Sequence, residues 1–349
     1  MRGTSEFESC NNVTVHRLPA IPYPKINLFH RADIYYTFLP KNFQAIARIL
    51  REHKVQILQV YGQFFDLTFM AVAAAKMLKI PITLTIGTRM KHPQAFYNAA
   101  FRVADGNLVK RLVADRVDRL VAVDKLMRNY IVERYHPANG KVRFIPAPVD
   151  VERFNGCDGG PVRETFGDDE LVLSLGTISN LRNPISLVRA MPQVLREFPR
   201  AKLLFLGDVH NLEPVRLARS LGLDGSVRFC GRVDYGMVPA YLGACNLEGH
   251  DLDTGMGIGL ASLEAMAAGK PVLSSARADN FLTIPLESWR NIVLVPPGDS
   301  EQIAEAITRL LSDKQLREKI GANARDLVTE YFSLDAICDR YEKLYEGLH

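Results

Sequence analysis

Short apolar runs alternate with stretches of helical periodicity along most of this chain. In the first half the apolar runs are VQILQV, PITLTI, RLVAVD and KVRFIP, and in the second half they are LVLSLG, AKLLFLG, VRFCG, PVLSS and NIVLVPP. Such short runs, each separated from the next by a helix-length segment, predict buried strands that pair in parallel. The pattern therefore predicts an α/β protein with two successive doubly wound sheets.

The segment NGCDGGPV, residues 155–162, separates the two alternating regions and has the composition of a linker. We assign residues 1–154 to an N-terminal domain, residues 155–332 to a second α/β domain, and residues 333–349 to a final helix. Ligands of doubly wound sheets bind at the carboxyl ends of the strands. We therefore expect the binding site in a cleft between the two domains.

Composition and charge narrow the class of protein. Hydrophobic residues make up 47% of the chain and charged residues 23%, as in globular proteins. A net charge of +4 is too weak to indicate nucleic-acid binding. The segment between Arg89 and Lys141 contains eleven Lys/Arg and only five Asp/Glu. This excess of positive charge could contact an anionic membrane, or it could belong to solvated helix faces, which is the interpretation that we favour. Widely spaced cysteines and the lack of an apolar run of the ~18 residues that span a membrane predict a cytoplasmic protein.

The segment GMGIGLASLEAMAAGKPV places three glycines at alternate positions before a predicted helix with one carboxylate. Glycine lets a ligand approach backbone N–H groups, and a helix N-terminus adds a partial positive charge. Gly255, Gly257 and Gly259 therefore suit an anionic or polyhydroxylated ligand, and Glu264 is placed to accept hydrogen bonds from ribose hydroxyls. A glycine-rich turn before a packed helix, with Glu264 on its exposed face, explains these residues alone equally well.

The longer pattern LASLEAMAAGKPV, VLVPPGDSEQIAEAITRLL and LREKIGANARDLVTEYFS resembles the C-terminal half of the family-4 retaining glycosyltransferases. The resemblance extends back through LGTISNLRNPISLVRAM, LLFLGD, VRFCGRV and FIPAPVDVERF, and more loosely to Val55. It implies the GT-B fold, in which two Rossmann-like domains face a central cleft and the final helix crosses back to the N-terminal domain. The same match argues against a GT-B epimerase or hydrolase.

The function implied by the resemblance is hexosyl transfer from a nucleotide-sugar donor to a glycan, lipid-linked or other acceptor. The nucleotide sugar would be a substrate, and neither a cofactor nor a metal ion is implied. Cell-envelope polysaccharide biosynthesis in the cytoplasm, with possible peripheral contact at the inner face of the membrane, is the expected setting. No nucleic-acid partner is expected.

The resemblance also implies roles for individual residues. Glu264 matches the second glutamate of the family's E-x7-E motif, which binds the donor ribose. Arg182 matches the lysine that neutralises the donor diphosphate, and arginine can fill that role bidentately. The implied donor-binding residues are Gly176, Thr177, Arg182, Arg232, Val233, Gly257, Ile258, Gly259, Leu260 and Glu264.

The chain departs from the family pattern at positions near the reaction. Met256 occupies the catalytic position of the first glutamate of E-x7-E, and its thioether cannot usefully accept a sugar hydroxyl. Thr177 replaces the arginine of the G-R-L segment, and Gly87 stands where the family often has histidine. Asp251 and Asp253 precede Met256, and Asp253 is the candidate catalytic carboxylate, although loop aspartates are usually only solvated. A second hypothesis therefore remains, a catalytically impaired or truncated homologue that acts as a binding or scaffold protein.

The segment EGHDLD, residues 248–253, combines one histidine with irregularly spaced carboxylates. This spacing is typical of a polar loop and not of a metal site.

Members of the family begin with a strand, a G-G loop, a helix and a second strand before the segment that resembles VTVHRLPAIPYP. Here that segment begins at Val13. We therefore expect the first βαβ unit of the N-terminal domain to be missing, which would leave unpaired strand edges and exposed apolar helix faces. The N-terminal half is expected to be poorly packed or paired with another chain.

Overall fold

The computed structural model describes residues 7–10, 12–22, 35–89, 94–180, 182–250, 252–254 and 257–348. The chain divides into two compact units. Unit 1 comprises Met1–Val123, Met127–Ile145 and Leu344–His349, and unit 2 comprises Asp124–Leu126 and Pro146–Lys343. The division precedes the predicted linker, part of which forms the beginning of a helix at Gly160–Phe166.

Unit 1 contains eight short strands and most of four helices among its described residues. The strands are β1 (Phe7–Cys10), β2 (Val13–His16), β3 (Ile21–Pro22), β4 (Tyr35–Tyr36), β5 (Leu58–Tyr61), β6 (Ile82–Ile86), β7 (Arg119–Ala122) and β8 (Val142–Phe144). The helices are α1 (Pro40–Glu52), α2 (Asp66–Met77), α3 (Ala95–Ala104) and α4 (Lys125–Tyr135), and a π-helical segment, Asp105–Ala114, continues α3.

A parallel four-stranded sheet in the order β5-β6-β7-β8 forms the centre of unit 1. All five residues of β6 are buried, as in a parallel strand covered on both faces. The helix α1 buries Ile46, Ala47 and Leu50 on one face, the spacing of an amphipathic helix. Two antiparallel pairs, β1-β2 and β3-β4, stand apart from this sheet in the described residues. The expected absence of a first βαβ unit stays a prediction.

The π-helical segment begins at a buried carboxylate. Asp105 is only 4% exposed, and it accepts hydrogen bonds from the hydroxyls of Tyr130 (2.5 Å) and Tyr135 (2.6 Å). The guanidinium of Arg134 lies 3.3 Å from the same carboxylate. Burial raises the pKa of Asp105 above its usual value of 3.8, although all three neighbours oppose the shift. This polar network ties α4 to the segment that follows α3.

Unit 2 repeats the alternation on a larger scale. Its strands are β9 (Leu171–Leu175), β10 (Lys202–Leu206), β11 (Val227–Gly231), β12 (Leu247–His250), β13 (Val272–Ser274) and β14 (Val293–Leu294). Its helices are α5 (Gly160–Phe166), α6 (Ile185–Glu197), α7 (Glu213–Ser220), α8 (Val238–Ala244), α9 (Leu260–Ala267), α10 (Ser300–Ser312), α11 (Lys314–Phe332) and α12 (Leu334–Glu346), the last of which ends in unit 1.

The six strands of unit 2 form one parallel sheet in the order β11-β10-β9-β12-β13-β14. The order reverses beside β9, which makes the sheet doubly wound. The buried faces of β9, α6 and α10 supply much of the apolar core, for example Val172, Val188 and Ile307. The predicted α/β fold with two Rossmann-like domains is confirmed.

One element of this sheet contradicts the interpretation of EGHDLD as a polar loop. Leu247–His250 is strand β12, which lies between β9 and β13. Glu248 is completely buried in this strand, and its carboxylate accepts a hydrogen bond from the Ser262 hydroxyl at 3.1 Å. A buried carboxylate requires such a donor, which the sequence pattern does not reveal.

Within the described residues, no group of three or more His, Cys, Asp or Glu side chains is arranged to hold a metal ion. No described helix combines the length and the apolar character needed to cross a bilayer.

Candidate functional site

A cavity of about 470 Å³ opens in unit 2 where β9, β10 and β11 end. We call it the donor cavity, after the ligand that the resemblance implies. Leu175 and Leu206 are the last residues of their strands, and Arg232 directly follows the third. The donor cavity is lined by Leu175, Gly176, Leu206, Gly207, Arg232, Val233, Asp234, Tyr235, Val238, Ala261 and Glu264. It therefore occupies the position at which doubly wound sheets bind their ligands.

Two glycines allow the first strand ends to approach each other closely. Gly207 has a φ of +146°, and a Cβ added there would lie only 2.3 Å from the carbonyl oxygen of Gly176. Gly176 itself has a φ of +131°. Because a side chain at Gly207 would collide with backbone that cannot move aside, this wall of the donor cavity requires glycine.

Glu264 supplies the carboxylate of the donor cavity. It lies on α9 and is half-buried, and its Oε1 accepts a hydrogen bond from the Tyr235 hydroxyl at 2.7 Å. Burial raises the pKa of Glu264, while the Tyr235 hydrogen bond and the charge of Arg153 oppose that shift. The carboxylate is thus already positioned to accept a hydrogen bond from a hydroxyl group.

Sequence reasoning missed Tyr235 and Arg153. Asp234 accepts a hydrogen bond from the backbone N–H of Gly236 at 2.7 Å, which caps the short 3₁₀ turn that carries Tyr235. The Arg153 guanidinium lies 4.0 Å from the centroid of the Tyr235 ring, a cation–π distance. Burial and the Glu264 carboxylate raise the pKa of Tyr235 to about 12. The phenol is therefore protonated at neutral pH and occupies one oxygen of Glu264.

A smaller cavity of about 20 Å³ shares Gly176 with the donor cavity and is also lined by Thr177, Arg182 and Asp253. The backbones of Arg182 and Ser179 exchange hydrogen bonds of 3.2 and 3.0 Å, which close a tight turn after β9. The structure therefore brings Gly176, Thr177 and Arg182 together beside the donor cavity.

Asp253 has a partner within unit 2. Its carboxylate accepts hydrogen bonds from the hydroxyl of Ser186 and from the Ser186 backbone N–H at 3.3 Å. Because Ser186 lies in the first turn of α6, the negative charge also stabilises that helix end. The proposed catalytic role of Asp253 stays a prediction.

The glycine-rich segment leads directly into α9. Gly257 has a φ of +111°, and a Cβ there would lie 2.7 Å from Oδ1 of Asn280. Gly259 is the N-cap residue of α9. The described lining of the two cavities includes Ala261, which lines the donor cavity. It does not include Gly257, Ile258, Gly259 or Leu260. Gly255 and Met256 lie outside the described residues, as does Asp251.

In unit 1, Gly87 follows β6, at the position where the resemblance places a histidine. A Cβ at Gly87 would lie 2.2 Å from the Tyr61 hydroxyl oxygen. Tyr61 is the last residue of the neighbouring strand β5. The tyrosine hydroxyl therefore occupies the space that a side chain at position 87 would enter.

Two family models match the chain. Residues 2–153 match the model described as Glycosyltransferase Family 4, and residues 161–327 match the model described as Glycosyl transferases group 1. The chain therefore carries two glycosyltransferase domains, and this finding supports glycosyltransferase function.

Several curated relatives and solved structures are similar to the chain. The uncharacterized glycosyltransferase MJ1069 of Methanocaldococcus jannaschii is 23% identical over 98% of this chain and 87% of its own length. A GDP-mannose-dependent alpha-(1-6)-phosphatidylinositol monomannoside mannosyltransferase of Mycobacterium tuberculosis is 27% identical over 68% of this chain and 64% of its own.

Among solved structures, Anabaena HepE in complex with UDP matches with a TM-score of 0.73 and 19% identity, over 90% of this chain and 85% of that one. The sucrose-phosphate synthase of Thermosynechococcus elongatus matches with a TM-score of 0.74 and 22% identity, over 99% of this chain and 86% of that one. Identities this low show the fold alone. The fold is GT-B, an α/β architecture with two Rossmann-like domains.

Proposed function

We propose that this chain is a retaining hexosyltransferase that moves a sugar from a nucleotide-sugar donor to a glycan or lipid-linked acceptor. The single observation that supports it most is Glu264, a half-buried carboxylate in the donor cavity that already accepts an O–H hydrogen bond at 2.7 Å. A ribose offers two hydroxyls that can make the same kind of bond. UDP, named with HepE, and the GDP-mannose of the mycobacterial relative both contain a ribose and a diphosphate.

In this proposal the departing diphosphate is stabilised by Arg182 and by the N-terminus of α9. Arg182 lines the small cavity that adjoins the donor cavity through Gly176, and its guanidinium could bind two phosphate oxygens. The first backbone N–H groups of α9 have no acceptor within the helix and carry partial positive charge. Fixed donors aimed at developing negative charge are the main electrostatic requirement of such a reaction.

The proposed retaining mechanism assigns proton removal to the leaving group. As the bond between the sugar and the diphosphate breaks, the released phosphate oxygen accepts the proton of the acceptor hydroxyl. That hydroxyl oxygen then bonds to the sugar on the face that the diphosphate leaves, so the anomeric configuration is kept.

Contact with an anionic membrane surface would bring a lipid-linked acceptor to unit 1. The helix α3 and the π-helical segment carry the exposed apolar residues Phe96, Val103 and Leu108, and Arg102 and Arg111 are exposed on the same elements. Apolar and basic side chains together favour a negatively charged bilayer. Co-sedimentation should be stronger with phosphatidylserine vesicles than with phosphatidylcholine vesicles, and equal sedimentation would contradict this part of the proposal.

The proposed function is tested by calorimetry with UDP-, GDP- and ADP-sugars, followed by assays of transfer to acceptors and to water. We expect one donor to bind, the sugar to be released, and NMR to show that the first-formed product keeps the donor's anomeric configuration. Inversion would contradict the retaining mechanism. Binding without release of sugar, even to water, would contradict the enzyme and favour the binding protein. Absence of binding by all three donors would contradict both.

A further inference from the structure

Unit 2 has a second large cavity, of about 440 Å³, at the opposite end of its sheet from the donor cavity. Cys245 and Asn246, which directly precede β12, belong to its lining, as do Lys270 and Pro271, which directly precede β13. The cavity therefore lies at the amino ends of these strands. We call it the rear cavity. Its position is not one at which doubly wound sheets usually bind their substrates.

Three cationic side chains line the rear cavity, and backbone carbonyl groups hold each of them in place. Arg163 donates from Nη2 to the carbonyl oxygen of Ala244 at 2.5 Å. Lys270 donates to the carbonyl oxygens of Gly243 and Cys245, both at 3.0 Å. These carbonyls belong to the C-terminal end of α8.

Arg317 is held in the same way by another helix. Its Nη1 donates to the carbonyl oxygens of Leu310 and Leu311 at 2.6 and 2.9 Å, at the C-terminal end of α10. Burial lowers the pKa of Arg317, which indicates that its charge is partly withdrawn from water. Because all three cations are anchored, little side-chain entropy remains to be lost when a ligand binds.

Carboxylates act on the cations of the rear cavity from a distance, since the charges of Glu318, Asp313 and Glu170 oppose the lowering of the Arg317 pKa. No acidic side chain within the described residues forms an ion pair with Arg163, Lys270 or Arg317. Glu318 is the one acidic residue among the described lining, and it is exposed. A helix C-terminus contributes roughly −0.5 of a charge. The two helix ends and the nearby carboxylates offset part of the positive charge, but the lining itself carries three cations and one carboxylate.

Hydrogen-bond donors also remain available. The bonds above use only Nη1 of Arg317 and two of the three ammonium hydrogens of Lys270. Arg317 therefore keeps Nε–H and both Nη2 hydrogens, and Lys270 keeps one hydrogen. Gly159 and Gly243 also line the rear cavity, and a Cβ at either position would lie 2.5 Å from a backbone atom, so this wall requires glycine.

We propose that the rear cavity binds a small, soluble phosphate-bearing anion. Anchored guanidinium and ammonium groups with spare donors are the protein groups that recognise phosphate oxygens. A soluble anion fits better than a lipid surface, because none of the large exposed apolar side chains lines this cavity. The proposal does not depend on the function proposed for the donor cavity.

The test is calorimetry with sodium pyrophosphate on the full chain and four variants. Lys270→Gln should weaken binding by about tenfold or more, since it removes a charge and a donor. Glu318→Gln should strengthen binding about two- to fivefold, because it removes a nearby negative charge. Asp326→Asn, which removes an exposed carboxylate further along α11, is the matched control and should leave the affinity unchanged.

Arg182→Gln separates the rear cavity from the donor cavity, and we expect pyrophosphate binding to persist in it. Loss of all binding in Arg182→Gln with wild-type affinity in Lys270→Gln would overturn the proposal. So would an absence of pyrophosphate binding to the unmodified chain. If Lys270→Gln does not fold, as a melting curve would show, Glu318→Gln still decides, since its side chain is exposed. An affinity equal to that of Asp326→Asn would contradict the proposal.

Discussion

Units 1 and 2 are built from the same strand–helix alternation, but they differ in the apolar surface that they leave exposed. Of the 21 large apolar side chains that are exposed among the described residues, 15 lie in unit 1 and only 6 in unit 2. Unit 2 is the longer of the two and has six strands in its sheet, whereas the sheet of unit 1 has four. Unit 2 also carries both polar cavities that we assign to anionic ligands.

This difference fits the proposal that the two units meet different partners. Exposed apolar surface in quantity usually marks contact with a protein or a membrane. Fixed charges and glycine-rich backbone in a concave site mark recognition of a small polar molecule instead. The expectation that a missing first βαβ unit exposes apolar helix faces stays a prediction.

Phe332 in unit 2 and Phe96 in unit 1 differ widely in exposure, so truncating them should give the largest difference in stability. Phe332 is completely buried in unit 2, with its ring centroid 4.8 Å from that of Phe281, whereas Phe96 in unit 1 is 78% exposed. Phe332→Ala should lower the free energy of unfolding by about 3–5 kcal/mol, and Phe96→Ala should change it by less than about 0.5 kcal/mol. Denaturant titration measures both. A large loss in Phe96→Ala would show that this side chain is buried against a partner in solution.

Glu264→Ala tests the polar site of unit 2. A hydrogen bond to a charged acceptor contributes about 1.5–3 kcal/mol, so the loss of ribose contacts should weaken nucleotide binding at least about tenfold. The matched control is Glu305→Ala, which removes an exposed carboxylate from α10 and should leave the affinity unchanged. Calorimetry with UDP or GDP measures the effect, and an equal affinity in the two variants would refute the role of Glu264.

Asp105→Asn tests the polar network of unit 1. An amide cannot accept from Tyr130, Tyr135 and Arg134 as the carboxylate does, so the free energy of unfolding should fall by about 1–3 kcal/mol. The control is Tyr241→Phe, which removes a tyrosine hydroxyl from α8 of unit 2. Hydrogen exchange should show faster opening of α4 and the π-helical segment in Asp105→Asn only. Unchanged exchange there would mean that the network does not hold these elements together.

The stability that Asp105 contributes should also depend on pH. Because burial raises its pKa in the folded state, the contribution is fully present below the unfolded value of about 3.8 and is lost as pH rises through the raised pKa. Asparagine does not titrate. The difference in unfolding free energy between the wild type and Asp105→Asn should therefore widen as pH falls from neutral towards 3.8. A difference that narrows would contradict the assigned direction of the shift.

Among these substitutions, Tyr235→Phe should have the smallest effect, a modest change in nucleotide affinity. The Tyr235 hydroxyl occupies one oxygen of Glu264, so its removal should free that oxygen for a ribose and strengthen nucleotide binding about threefold. Retention of the ring preserves the contact with Arg153. Calorimetry beside the Tyr241→Phe control measures this change. Weaker binding in Tyr235→Phe would show that the hydroxyl assists the nucleotide and does not compete with it.

The sequence was sufficient for the main strands and helices of both units, because their apolar runs and helical periods are local features. It was not sufficient for β12, because a charged residue such as Glu248 is not expected in a buried strand. The Ser262 hydroxyl on α9 that donates a hydrogen bond to Glu248 is not evident from the local sequence. The hydrogen-bond partners of Asp105 likewise come from α4, which is distant in the sequence.

The same limit applies to the candidate site. The glycine pattern and the resemblance single out Glu264, but they give no sign that Tyr235, from the turn after β11, bonds to it. They also mark Asp253 as a catalytic candidate without showing its contact with Ser186 on α6. Contacts between elements distant in the sequence decide what a polar residue does, and no local pattern contains them.

A crystal structure of this chain with UDP or GDP bound is the most direct test of the central claim that unit 2 holds the donor nucleotide. We expect the ribose hydroxyls within hydrogen-bond distance of the Glu264 carboxylate and the diphosphate beside Arg182 and the first turn of α9. Nucleotide bound elsewhere, with the donor cavity empty, would contradict the claim.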